Sequence, residues 1–264
     1  MPEIRLYRPT DRAALYDICV RTADAGGDAR GRYSSDDLMG DLFAGPYAWL
    51  DPHLAFVVED EGEVVGYVVG TDDTAEFVRR YRAEWIPLVG DRYPEPPPPP
   101  RSLEQEMVAL HYHPERMLVD GLDGYPAHLH IDLLPAYQGR GFGRRLIDRF
   151  LTTVDAPGVH LGMLTANVKA RGFYDRLGFT VLPVPDPGPL TYLGIRTPAG
   201  RKGIATDGAS RRARPPSAPP VQLLTERPTA NPLVEVLAER AAANPLVGVL
   251  PERAAPDPAG GASP

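Results

Sequence analysis

All 21 aromatic side chains of this 264-residue chain lie at or before Tyr192, and so do all six histidines. Aromatic rings supply much of the apolar area a core can bury, so a segment without them has little to offset the entropy of its own ordering. Residues 197–264 also hold 12 of the 31 prolines. The chain therefore reads as one globular domain over 1–196, of ordinary size, followed by a Pro/Ala-rich disordered tail over 197–264. Within that tail a 13-residue stretch starting at Ala230 recurs from Ala243 with two differences, a tandem repeat at 230–255. Two copies are too few to stack, and Gly248 and Pro251 oppose a helix in the second. The repeat reads as a duplicated linker, with a peptide docking motif as the alternative.

The formal charge of −7 is uneven: the tail carries eight Lys/Arg against six Asp/Glu, which leaves 20 against 29 in the first 196 residues. An acidic body is a poor ligand for nucleic acid or anionic lipid, so neither is expected as a partner. The single cysteine, Cys19, has no internal disulfide partner, and no amino-terminal stretch pairs basic residues with an apolar run of exporting or spanning length. A cytoplasmic protein is the expectation. Cys19 shares helical spacing with Leu15, Ile18 and Thr22, which marks it as core filler rather than nucleophile.

The pattern along the body is mixed α/β. Residues 3–8 alternate as a strand, and Thr10 is placed to cap the helix that follows. A second short helix is expected over Ser35–Phe43, after a loop at 23–34 that lies on the substrate side. The runs 54–59 and 64–70 form a hairpin around Asp60-Glu61-Gly62-Glu63. Residues 72–125 form an irregular insertion with helices starting near Asp73 and Ser102, separated by the extended run Pro96–Pro100. Ala127–Leu134 alternates as a strand with His128, His130 and Asp132 on its polar face. An amphipathic helix from Phe142, a strand over 159–165, a helix over 168–177 and two closing strands complete the pattern. The fold class is α/β (α+β): a central mixed sheet of six or seven strands, helices on both faces, and a helical insertion between strands 3 and 4.

Residues 138–143, Gln-Gly-Arg-Gly-Phe-Gly, lie between a strand and a helix. Backbone N–H groups at a helix start lack intrahelical partners, and glycines let a ligand approach them, so such a turn suits a phosphate. Arg140, Arg144 and Arg145 add local positive charge on an acidic body. The order Gln138-x-x-Gly141-x-Gly143 after Leu-Leu-Pro, and then Asn167…Arg171-Gly-Phe-Tyr174…Gly178-Phe179, resembles the acetyl-coenzyme A signature of the GCN5-related N-acetyltransferase (GNAT) superfamily. Tyr125–Pro135, with Trp85 and His111-Tyr-His-Pro114 in the insertion before it, is similar to bacterial proteins related to the carboxy-terminal acetyltransferase-like domain of O-GlcNAcase.

The resemblance implies that the pyrophosphate of acetyl-coenzyme A sits on the backbone of Gln138, Gly139, Arg140, Gly141, Phe142, Gly143 and Arg144. Pantetheine would then lie along Leu133 and Leu134, where an amide polarises the acetyl carbonyl, in a gap between two splayed parallel strands. It also implies that Tyr174 donates a proton to the departing sulfur. Asn167, Arg171 and Tyr174, at i, i+4 and i+7, are expected on one helix face towards the cofactor. The competing reading of Tyr174 is a packing residue whose hydroxyl caps a backbone group. Asp132 is the first candidate for the general base and His130 the second; alternatively, His128, His130 and Asp132 hydrogen-bond to one another or to the insertion. Alternate residues on one strand do not suit tetrahedral metal binding, and no metal is expected.

The expected activity is transfer of an acetyl group from acetyl-coenzyme A, as co-substrate, to a small-molecule or peptide amine by direct attack. The acidic body favours a cationic acceptor. Some relatives on the O-GlcNAcase branch lack the cofactor signature, so a non-catalytic acyl-coenzyme A binder or scaffold is the alternative. Neither the acceptor nor the oligomeric state is legible in the sequence.

Overall fold

The computed structural model describes residues 1–24 and 26–198. The expected tail beyond Pro198, with its repeat, lies outside the described residues. Seven strands, β1 (Glu3–Leu6), β2 (Phe56–Asp60), β3 (Glu63–Thr71), β4 (Ala127–Leu133), β5 (Gly158–Leu164), β6 (Thr180–Val181) and β7 (Leu190–Arg196), form one sheet in the order β1-β2-β3-β4-β5-β7-β6. All pairings are antiparallel except β4 with β5. The hairpin between β2 and β3 turns on Glu61 and Gly62, both at positive φ (54° and 90°), a conformation that matches the twist of the strands it joins.

Strand alternation divides the core in two. Val57, Tyr67 and Val69 pack with α1 (Arg12–Thr22), α2 (Asp37–Phe43), α3 (Gly45–Leu50) and the insertion on one face of the sheet. Phe56, Val58, Val68 and Leu129 pack on the other face with α7 (Phe142–Thr153) and α8 (Val168–Leu177). Leu146, Ile147 and Phe150 of α7 are fully buried, each contributing roughly 1.5–3 kcal/mol of apolar burial.

Three local details differ from the sequence reading. The first turn is closed by Asp11 rather than Thr10: its carboxylate accepts from the Arg8 amide at 2.7 Å and from Arg5 at 2.6 Å. A carboxylate with two such donors outcompetes a hydroxyl for the position. The second helix starts at Asp37, two residues after Ser35. A third helix, α3, follows at once, with Pro46 in its first turn, where the missing N–H costs nothing.

The insertion is helical as expected. Asp73 accepts from the amides of Ala75 (2.9 Å) and Glu76 (3.1 Å) at the start of α4 (Thr74–Arg80), which continues through a wide turn at Tyr81–Trp85 into α5 (Ile86–Val89). Ser102 caps α6 (Leu103–Tyr112) by accepting from the Gln105 amide at 3.2 Å. The buried Asp41 of α2 ties this insertion to the body, accepting from Tyr16 (2.6 Å) and Tyr93 (2.9 Å) and pairing with Arg92 (2.8 Å). A buried carboxylate persists only with partners of this kind.

The sheet and α7 meet tightly at Gly70, where an added Cβ would lie 2.3 Å from the His128 carbonyl oxygen and 2.6 Å from the Phe150 ring. Gly70→Ala is expected to cost about 1–3 kcal/mol, the range for overpacking a rigid core, read as a lower urea midpoint at unchanged m-value.

Candidate functional site

β4 and β5 part almost as soon as they meet. They pair only at Ala127↔Val159 and His128↔His160, although β4 continues to Leu133 beside β3. The Leu134 amide donates to the Val65 carbonyl at 3.0 Å, so the alternation of an antiparallel ladder turns the main-chain groups of Leu133 and Ile131 away from β3, towards the gap. The Leu133 carbonyl there accepts from the Gln138 side chain at 2.9 Å. Of the two leucine amides expected to face an acyl group, Leu133 does so and Leu134 is already engaged.

The glycine turn continues this open edge. Gly139 and Gly141 sit at φ +71° and +86°, and Gly141 leads directly into α7 with no side chain capping that end. Among the described residues, the amides from Gly139 to Arg144 make no hydrogen bond to the protein. They form a nest of donors at the positive end of a helix. Arg144 lines the cleft, whereas Arg140 lies over the rings of Tyr137 (5.1 Å) and Phe142 (5.4 Å) and takes part only through its backbone. Phe142 itself is buried beneath α7.

α8 supplies the opposite wall with Ala170, Phe173, Tyr174 and Leu177. Asn167 accepts from the Ala170 amide at 3.1 Å and starts the helix at the cleft edge. Arg171 does not line the cleft: its guanidinium pairs one turn on with Asp175 at 2.7 Å, and a 3.6-residue period sets it roughly 100° or more round the helix from Ala170, Phe173 and Leu177. Lys169 and Arg176, which the sequence reading passed over, line the cleft instead. Tyr174 is buried against Phe173 and Phe179, and burial pushes its phenol well above the ordinary value, so it stays protonated. Among the described residues its hydroxyl caps nothing.

This cleft, of about 570 Å³, meets a second cavity of about 320 Å³ between β4, β5, α2 and the insertion. Asp132 lines both. Its carboxylate accepts from Tyr67 at 2.6 Å, and burial raises its pKa despite that bond. His128, His130 and His160 line the second cavity.

One carbonyl fixes the direction of a hydrogen-bond chain across this wall. The Thr74 hydroxyl is 2.7 Å from the Pro126 oxygen, which can only accept, so Thr74 spends its proton there and must accept from His128 Nδ1 at 2.7 Å. His128 Nε2 then accepts from the Tyr47 hydroxyl at 2.8 Å. The Tyr47 oxygen is left to accept from His130 Nε2 at 3.1 Å, which leaves His130 with its lone pair on Nδ1. The sequence offered no signal for Tyr47, on the unexpected α3, while His160 enters only because β5 sets it beside His128, ring centroids 5.5 Å apart.

The family model described as Acetyltransferase (GNAT) family matches residues 28–179. The chain belongs to the GNAT acetyltransferase family. The crystal structure of SsHAT is 56% identical, with a TM-score of 0.71, covering 74% of this chain and 98% of that one. The Protein O-GlcNAcase of Rattus norvegicus is 29% identical over 157 residues, 59% of this chain and 17% of that protein, so this chain matches a small part of that relative's length. The Peptidyl-lysine N-acetyltransferase YjaB of Salmonella typhimurium is 30% identical over 116 residues, 42% of this chain and 69% of YjaB.

As a GNAT-family sheet this one carries a largely apolar second cavity into which three imidazoles, all held neutral, are set. Burial brings His130 of that cavity, and His111 in the insertion, down to about 4, with Arg116 adding to the effect, lowers His160, and pushes His128 well below its ordinary value. A histidine in the unfolded chain titrates near 6.5, so each of these takes up a proton on unfolding once the pH falls below that value. The folded state is thus favoured above about pH 6.5 and loses ground towards acid; Asp132, raised rather than lowered, acts in the opposite sense. His128→Gln is expected to reduce the dependence of unfolding free energy on pH between 5 and 6 by close to one proton, measured by urea titrations across that range.

Proposed function

We propose that the protein is an N-acetyltransferase that takes acetyl-coenzyme A along the β4–β5 gap and delivers the acetyl group to an amine held in the adjoining cavity. The observation that carries this reading is the shared wall: the cleft with the unpaired amides and the cavity with the neutral histidines meet at Asp132, and Tyr174 lines the same cleft. The donors from Gly139 to Arg144 suit a pyrophosphate, with Lys169 and Arg176 adding charge at the rim, and the Ile131 and Leu133 main chain suits the amides of a pantetheine arm.

Asp132 takes a proton from the attacking amine, for which its raised pKa makes it a better base than an exposed carboxylate. The new bond joins the amine nitrogen to the acetyl carbon. The Leu133 N–H faces the gap where the carbonyl oxygen gains charge, and Tyr174 returns a proton to the sulfur as the carbon–sulfur bond breaks. His130, whose Nδ1 lone pair is uncommitted, is the second proton acceptor. Cys19 is fully buried and its thiol pKa is strongly raised, which argues for direct attack without a covalent enzyme intermediate. The alternative, a binder with a closed acceptor side, is disfavoured by the cavity of about 320 Å³ beside Asp132.

Mixing the protein and acetyl-coenzyme A with a panel of amines, and following free thiol, tests the activity. Tyr174→Phe is expected to lower kcat by about 10–100-fold and Asp132→Asn by about 100-fold or more, both with acetyl-coenzyme A affinity within twofold of the parent. Gly141→Trp, forcing a bulky side chain to φ +86°, is expected to weaken acetyl-coenzyme A binding at least tenfold by calorimetry. Normal binding by that variant removes the phosphate cradle from the turn.

A further inference from the structure

The cavity beside Asp132 contains a cation with no counter-ion among the described residues. Arg116 stands in the turn Pro114–Met117 of the insertion and lines the cavity, half-buried, with its guanidinium 6.0 Å from the Phe43 ring. Its Nε is buried and has no hydrogen-bond partner, and it makes no ion pair with any described carboxylate. Its neighbours show that this is not for want of acids. Glu115, next in the chain, pairs with Arg82, while Arg80 holds Asp51 and Glu84, and Arg92 holds Asp37 and Asp41.

A half-buried guanidinium without a partner is costly, because desolvation is not returned as attraction. The other groups in the cavity do not repay it. The histidines there are neutral, and Asp132, the one carboxylate lining the cavity among the described residues, is bonded to Tyr67 on β3. The charge of Arg116 bears on His128, His130 and Tyr192, three of the groups that line the same cavity. The cavity that Arg116 and Asp132 both line is otherwise apolar and adaptable at Met39, Phe43, Met107 and Met117. Thioether side chains adjust their shape to what they hold.

Resting on the acetyltransferase reading, we infer that Arg116 is the counter-ion for a carboxylate on the acceptor, and that the acceptor is a free amino acid with an apolar side chain. Such a zwitterion puts its ammonium at Asp132, where the thioester arrives, its carboxylate on a planar fork of donors, and its side chain on the methionines. A cavity of about 320 Å³ is at the small end of ligand sites and accommodates a molecule of that size. The local charge here replaces the argument from net charge, which pointed to a plain cationic amine. It also sets the cavity apart from one built for a lysine side chain, which brings no anion near its amine.

Direct binding reads this without requiring turnover. The full chain, saturated with coenzyme A, is titrated calorimetrically with each of the twenty proteinogenic amino acids and with the amides of those that bind. At least one amino acid with an apolar side chain is expected to bind at least tenfold more tightly than its amide, and Arg116→Met to erase that difference while coenzyme A affinity is kept. Arg116→Lys is expected to restore part of it, because the charge returns without the fork. Thermal unfolding of Arg116→Met separates recognition from scaffolding: an unpartnered cation predicts an unchanged or higher Tm. The assignment is overturned if no amino acid binds, if amino acids and amides bind alike, or if Arg116→Met lowers the Tm markedly. Amino-acid binding that depends on Arg116 but yields no thiol would leave this assignment standing and remove the catalytic one.

Discussion

The separation of β4 from β5 is the constraint on which the rest of the molecule turns. Two strands that pair at only two positions leave the polar main-chain groups of Ile131 and Leu133 without ladder partners in the middle of a sheet. Buried backbone donors and acceptors are costly unless something meets them. Gln138 reaches back to one carbonyl, and the remaining groups line a gap that continues into the unpartnered amides at the start of α7. A ligand with an extended amide-containing arm and a phosphate end supplies what this edge lacks. The binding cleft is thus a consequence of a broken ladder, completed by a helix that starts without a side-chain cap.

The other face of the same strand shows how a polar wall is kept inside a protein. His128, His130 and Asp132 point to the side of the sheet covered by the insertion, where burial drives imidazoles towards neutrality and carboxylates towards protonation. Neutral rings need committed hydrogen bonds, and the Pro126 carbonyl sets their direction from Thr74 to His130. The insertion that helps to close this wall is itself held by Asp41, whose buried charge is met by two tyrosines and an arginine. Arg116 stands out against that pattern because its buried Nε has no hydrogen-bond partner among the described residues.

How much of this was legible in the sequence depended on how local each feature is. Asp73 and Ser102 cap helices where the sequence placed them, because a cap is decided within three residues. The glycine turn, the strand before it and the helix after it were equally plain. Arg171 was not: helical spacing alone set it with Asn167 and Tyr174, but an acid four residues on drew it away from the cleft. Leu134 was likewise grouped with Leu133, although a one-residue step along a strand reverses the direction of the amide. Tyr47 was invisible because nothing in its own segment announces a site; its role comes from two histidines more than 80 residues away in sequence.

The sequence by itself determined the alternation that makes a two-faced sheet, the glycines that permit positive φ before α7, and the residue types along β4. These are short-range matters of steric freedom and periodicity. Only the tertiary structure decided that β5 would leave β4 after His128, that α3 would bring Tyr47 to the histidines, and that Arg116 would face a cavity with no ion-pair partner among the described residues. Those outcomes depend on which distant elements pack together and on what each loses to desolvation, quantities that no window of consecutive residues contains.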